Sequence, residues 1–211
     1  MPVELAHFEA VLPFLHPHLR TMALIQRWTG MRPGEACAMT LGQIDRSGEL
    51  WVYYPKVHQT AHHGRTRVVP LGPKAQGALS AFLDGRSLDD SQPIFSPAAA
   101  REERYARMRA ARKSKVTPSQ KSRRKSNARR LPGERYHPHA YADGIETACK
   151  KAGVPHWHPH QLRHMRAAEL RQQFGLESVR APLGHSFASM TDHYSKSAET
   201  ELASRVAALA G

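Results

Sequence analysis

The sequence predicts a mainly α-helical fold that carries a small antiparallel β-sheet. Apolar residues recur at helical spacing within residues 4–29, 73–83, 139–151 and 159–174. From Leu50 the pattern changes to short runs of β-formers, Trp51-Val52-Tyr53-Tyr54 and Thr66-Arg67-Val68-Val69-Pro70. At 211 residues, 40% of them hydrophobic, the chain can bury one full core, and two complete domains do not fit.

Taken in order, Leu19, Met22, Ala23, Ile25 and Trp28 form one face of a helix that starts after Pro17, and Thr29-Gly30 ends it. Pro33-Gly34-Glu35 opens a second helix through about Met39, because proline fits a first turn and Glu suits the positive helix end. The two β-runs flank His62-His63-Gly64, read as a turn, so a small antiparallel sheet is inserted among helices. Helical spacing returns from Pro73 to Leu83 through Ala75, Leu79, Phe82 and Leu83. A helix from about His139 to Lys151 turns Tyr141, Ile145 and Ala148 inward and stops at Gly153. It is followed by a helix from about Pro159 to Phe174, a short one from Leu176, and a C-terminal helix from Ala198 to Ala210. The sequence shows no internal repeat.

Charge is unevenly spread. The chain carries 31 Lys and Arg against 18 Asp and Glu, a net of +13, and has a pI near 10.3. Residues 101–136 hold 14 of the cations and only Glu102, Glu103 and Glu134, a net of +11, so the other 175 residues are nearly neutral at +2. This segment reads as a basic insertion, helical at first and broken at Pro118. It is either a solvated loop or an arm that orders on a phosphate backbone. A strongly basic balance favours a polyanionic partner, of which nucleic acid is the commonest.

Other classes are excluded. No apolar stretch approaches the ~18 residues of a spanning helix, and Glu4 and Glu9 stand where a signal peptide would be positive. Cys37 and Cys149 are too few for a disulfide framework or a cysteine zinc site, and are expected to be buried, reduced thiols. The expected location is the cytoplasm, with no membrane association.

His160-Gln161-Leu162-Arg163-His164 places two histidines on one helix face, as in zinc proteases, but the general-base Glu of that motif is replaced by Gln161. No metal site is expected there, nor among His156, His158 and His160, and no cofactor is expected. A stronger constellation is formed by three pieces in order. Thr29-Gly30-Met31-Arg32-Pro33-Gly34-Glu35 places an arginine at a helix start; His160-x-x-Arg163-His164 follows; and Leu183-Gly184-His185 precedes Tyr194 by nine residues.

In these boxes the chain resembles the tyrosine recombinases, the phage-integrase family of DNA breaking and rejoining enzymes, over about residues 4–200. The resemblance implies a single catalytic domain over 1–211, with a basic insertion at about 101–136 and the family's N-terminal core-binding domain absent. It implies double-stranded DNA as partner, a homo-oligomer, a tetramer on paired DNA sites, and site-specific recombination or integration through a covalent 3′-phosphotyrosyl intermediate.

The implied catalytic set is Arg32, His160, Arg163, His185 and Tyr194, with Glu35 in support. Two guanidiniums suit the non-bridging oxygens of a phosphodiester because they are planar, bidentate and always charged. Tyrosine, with a reference pKa of about 10, needs a base and positive surroundings to become a nucleophile. Glu35 either pairs with a histidine or arginine, or is a solvated first-turn carboxylate. The expected DNA contacts are Lys56, Arg65, Lys121, Arg123, Arg124, Lys125, Arg129 and Arg130.

Two positions depart from the family pattern. Gln59 stands where a hairpin lysine that protonates the leaving oxygen is expected, and a carboxamide cannot act as that acid; either Lys56 or Arg65 could replace it. Met165-Arg166 stands where small residues are usual. The alternatives are a DNA-binding remnant that cleaves poorly and a type IB topoisomerase.

Overall fold

The computed structural model describes residues 2–56, 67–115, 117–118, 131–174, 204 and 206–209. Their elements are α1 (Leu5–Val11), α2 (Pro17–Thr29), α3 (Pro33–Cys37), β1 (Ile44–Asp45), β2 (Trp51–Tyr53), β3 (Val69–Leu71), α4 (Pro73–Leu83), α5 (Pro97–Ala110), α6 (Pro138–Ala152) and α7 (Pro159–Phe174), with 3₁₀ turns at Leu12–Phe14 and Leu41–Gln43. The fold is therefore mainly helical with one three-stranded antiparallel sheet. From α2 to α7 every helix begins on a proline, whose fixed φ suits the first turn and whose missing N–H would have no partner there. Gly30 and Gly153 end α2 and α6 in the left-handed region, at φ 67° and 69°.

Helix α2 is the axis of the core. It packs on α4, α7, α3 and β3, so it is buried on almost every side, including at His18, Gln26 and Arg27. The sheet order is β1-β2-β3, with Ile44 opposite Tyr53 and Tyr53 opposite Val69. Strand β3 is an edge, which is why Pro70 can sit in it opposite Val52. Cys37 and Cys149 are free, buried thiols.

Residues 101–110, the part of the basic segment read as helical, belong to α5, a helix that begins at Pro97 with Ser96 as its cap (Ala99 N–H to Oγ, 3.2 Å). Glu103 ties α5 to the body. It binds Arg86 Nη1 and accepts from His18 Nε2 at 3.1 Å, while the Ser96 N–H donates to His18 Nδ1, also at 3.1 Å.

His16, His18 and Glu103 present ligand atoms within 4.8 Å of one another, a set that could in principle hold a metal. The hydrogen bonds argue otherwise. With Nδ1 accepting from Ser96, neutral His18 carries its proton on Nε2 and aims it at Glu103, whereas a metal on Nε2 needs Nδ1 as the donor. Arg86 already occupies the same carboxylate. Burial, then Arg107 and His18, push the His16 imidazole down to about 4, and Glu103, despite its burial, is held at about 2 by Arg86 and His18. The cluster is a neutral-imidazole, ionised-carboxylate tie between the start of α2, α5 and the segment that follows α4.

No helix among the described residues is long and apolar enough to cross a membrane. The expected turn at His62-His63-Gly64, the short helix from Leu176 and most of the C-terminal helix lie outside the described residues. Within that last segment Val206 is buried against Leu170 of α7.

Candidate phosphate-binding site

Two helix starts build the site. At α3, Arg32 is the N-cap residue in extended conformation, and its N–H donates to Glu35 Oε2 at 2.8 Å. At α7 the same device recurs: the His158 N–H donates to Gln161 Oε1 at 2.7 Å. In both, the side chain three residues into the helix satisfies an N–H that the helix cannot. Gln161 is thus a cap, which gives a structural reason for an amide where a zinc protease has its general base.

Glu35 is 2% exposed, so it is not a solvated carboxylate. Its Oε1 accepts from Arg32 Nη1 at 3.1 Å and from Arg67 Nε at 3.3 Å, and its main-chain oxygen accepts from the Tyr53 hydroxyl at 2.8 Å. Burial alone would raise the Glu35 carboxyl, but Arg67 and then Arg32 hold it below the usual carboxylate range. Arg67 is itself buried at the entry to β3, and its Nη1 donates to the Val68 oxygen at 3.0 Å.

Arg163, on the buried face of α7, reaches back 133 residues to donate from Nη1 to the Gly30 oxygen at 2.8 Å, two residues before Arg32. Burial, then the positive charges of Arg32 and Arg67, bring its guanidinium down to about 10, so it stays cationic at neutral pH. His160 is exposed on the same helix, with the His164 ring edge-on at 5.0 Å. Burial, His164, Arg163 and Arg32 all push its imidazole down, so it is neutral at pH 7.

The structure therefore brings together four of the expected residues, Arg32, Glu35, His160 and Arg163. Lys56 lies exposed three residues past the end of β2. His185, Tyr194, Gln59, Arg65, Lys121, Arg123, Arg124, Lys125, Arg129 and Arg130 lie outside the described residues. Sequence reasoning missed Arg67, which stands two and four residues before buried Val69 and Leu71 and so on their face of the strand. Read with that alternation, it was the cation pointing inward.

Arg166 is explained as well. It is 3% exposed and lies 3.8 Å from Glu169, which also receives both Nη atoms of Arg27 from α2. The large residue after the second box is one arm of a buried ion network between α2 and α7. This network lines a cleft of about 770 Å³ with Trp28, Lys74 and Leu209, and the cleft shares no residue with the Arg32 cluster.

Three guanidiniums and one carboxylate, net +2, are gathered at two helix starts beside the His160 imidazole in a mainly helical domain. The comparisons give this domain a family: residues 7–201 match the phage integrase family, and the chain belongs to it. The chain is 29% identical over 180 residues to the tyrosine recombinase XerC of Bifidobacterium longum (strain DJO10A), covering 84% of this chain and 42% of that protein. With XerC of Corynebacterium glutamicum it shares 27% over 169 residues, 79% and 42%. The chain thus spans less than half the length of these curated relatives.

Among solved structures it resembles XerA recombinase (TM-score 0.58, 16% identity, 97% of this chain and 58% of that one). It also resembles a lambda integrase(75–356) dimer bound to a COC' core site (TM-score 0.58, 14% identity, 91% and 62%). These likenesses show that the fold is that of the tyrosine recombinase catalytic domain.

Proposed function

We propose that this chain is the catalytic domain of a site-specific recombinase that cuts and rejoins double-stranded DNA through Tyr194. The observation that carries the reading is the meeting of Arg32 and Arg163 around buried Glu35, from helix starts more than a hundred residues apart. A scissile phosphodiester repels nucleophiles through its two non-bridging oxygens, and those oxygens gain charge in the transition state. Arg32 and Arg163 neutralise them, each such donor contributing roughly 3–4 kcal/mol in a preorganised site.

The Tyr194 oxygen attacks phosphorus and its proton passes to His160, which is neutral and able to accept it. The 5′-oxygen leaves and is protonated to a hydroxyl, and the 3′-phosphate stays on the tyrosine. His185 donates a hydrogen bond to the phosphate. Because the phosphotyrosine conserves the bond's energy, the 5′-hydroxyl can reverse the step without ATP. Lys56, Arg65 and the cations between Lys121 and Arg130 grip the backbone, and recombination takes place in a tetramer on paired sites in the cytoplasm.

A nicked suicide duplex incubated with the protein should give a covalent adduct on a denaturing gel, absent in Tyr194→Phe and unaffected by EDTA. The second reading, a DNA-binding remnant, is favoured by Gln59 in place of the hairpin acid. It predicts binding without adduct on any substrate. Relaxation of supercoils with no strand exchange would instead indicate topoisomerase chemistry.

A further inference from the structure

We infer that Arg67 is a positioning residue that acts through Glu35, compensating its carboxylate so that the Arg32 guanidinium remains available to the phosphate. This rests on the reading of Arg32 as a phosphate ligand. Arg32 makes two bonds to Glu35, one from its main-chain N–H and one from Nη1, so the carboxylate both orients and partly neutralises the guanidinium. A lone buried carboxylate would draw that charge off the site. Arg67 supplies the second cation: it is 7% exposed, shares Oε1 with Arg32, and is held in place by its bond to the Val68 oxygen.

The Arg32 side chain is 22% exposed, against 6% for Arg67. The two arginines on one carboxylate are therefore unequal, an inner one that neutralises and an outer one that faces the ligand. Arg67 stands two residues before β3, whose Val69 is paired with Tyr53, and the Tyr53 hydroxyl holds the Glu35 main chain. Among the described residues, the charged and titratable groups that interact with Glu35 are Arg32 before α3, Arg67 before β3, Tyr53 on β2 and Arg163 on α7.

The test is a double-mutant cycle on the full chain, read as the single-turnover cleavage rate of a nicked duplex at saturating DNA across pH 5.5–8.5. Arg67→Gln should slow cleavage roughly 10- to 100-fold, as for loss of a residue that orients a ligand, with DNA affinity little changed. Glu35→Gln in the same chain should recover most of that rate, because the uncompensated carboxylate is gone. The ratio between the two variants should approach one as pH falls, because protonation of Glu35 in Arg67→Gln does what the second substitution does. Arg67→Lys keeps the charge and should retain most of the rate.

Additive or worsened rates in the double variant, or a ratio that does not change with pH, overturn the inference. If the unmodified protein forms no adduct, the recombinase reading fails by itself, and the ¹³C carboxyl titration of Glu35 decides this one. A midpoint raised by about one pH unit or more in Arg67→Gln supports it, and an unmoved midpoint overturns it.

Discussion

Gln26 lies fully buried in the middle of α2, yet both ends of its amide are bonded. Nε2 donates to the Met31 oxygen at 3.2 Å and to the Pro159 oxygen at 3.0 Å, and Oε1 accepts from the Tyr141 hydroxyl at 3.0 Å. Met31 immediately precedes Arg32, and Pro159 is the first residue of α7, four before Arg163. One side chain therefore fixes both arginine-bearing segments against α2 and α6. Gln26→Leu keeps the volume but leaves two carbonyls and a hydroxyl buried without their partner, which should cost about 3 kcal/mol in urea unfolding. Tyr141→Phe removes one of the three bonds and should cost about 1 kcal/mol. Equal losses for the two would show that the amide is not the shared clasp.

At the scale of elements, the helix starts were legible because proline marks them: Pro17, Pro33, Pro73 and Pro159 each open the helix the sequence assigned to them. The helical start of the basic segment was legible, but the attachment of α5 to the body was not, because nothing local shows that Glu103 reaches His18, 85 residues away. Strand β1 has two residues, too few to display a period. Of the site, Arg32 and Arg163 could be read from their boxes, whereas Arg67 could not be assigned, since its partner Glu35 is 32 residues distant. The α5 tie also sets an acid response. Burial leads the causes that keep His16 and His18 below the ordinary histidine value of 6.5, His16 at about 4, so below about 6.5 the unfolded chain binds protons that the folded chain does not. Stability therefore falls as pH falls through that window, with a slope approaching ~1.4 kcal/mol per pH unit for each imidazole. The Glu103 contribution is lost lower, as pH drops from 4.5 towards 2. Urea midpoints at pH 7 and pH 5 should differ clearly, and the difference should shrink in a His16→Gln, His18→Gln chain. An unchanged difference would place the acid response elsewhere.

Across the whole molecule, the bulk of the charge and the arginine cluster are separated. The arginine cluster stands within a part of the chain that is nearly neutral in total, while residues 101–136 carry +11. Within that segment α5 is part of the folded body through Glu103, so the portion free to serve as an arm begins beyond Ala110. Residues 112–131 contain nine cations and no anion. If they lie along a DNA backbone, each phosphate contact they make releases a counterion. Replacing 112–131 by a short Gly-Ser link, with α5 intact, should then flatten the log–log dependence of DNA affinity on salt by ~0.9 per lost contact, several units in total. Affinity at low salt should fall for all sequences alike, because phosphate contacts carry no base readout. Strand cleavage of a saturating suicide duplex should change little, since Arg32, Arg67 and Arg163 lie outside the deleted stretch. A salt slope equal to that of the intact chain would assign the cations to solvent and leave the grip on DNA to the body of the domain.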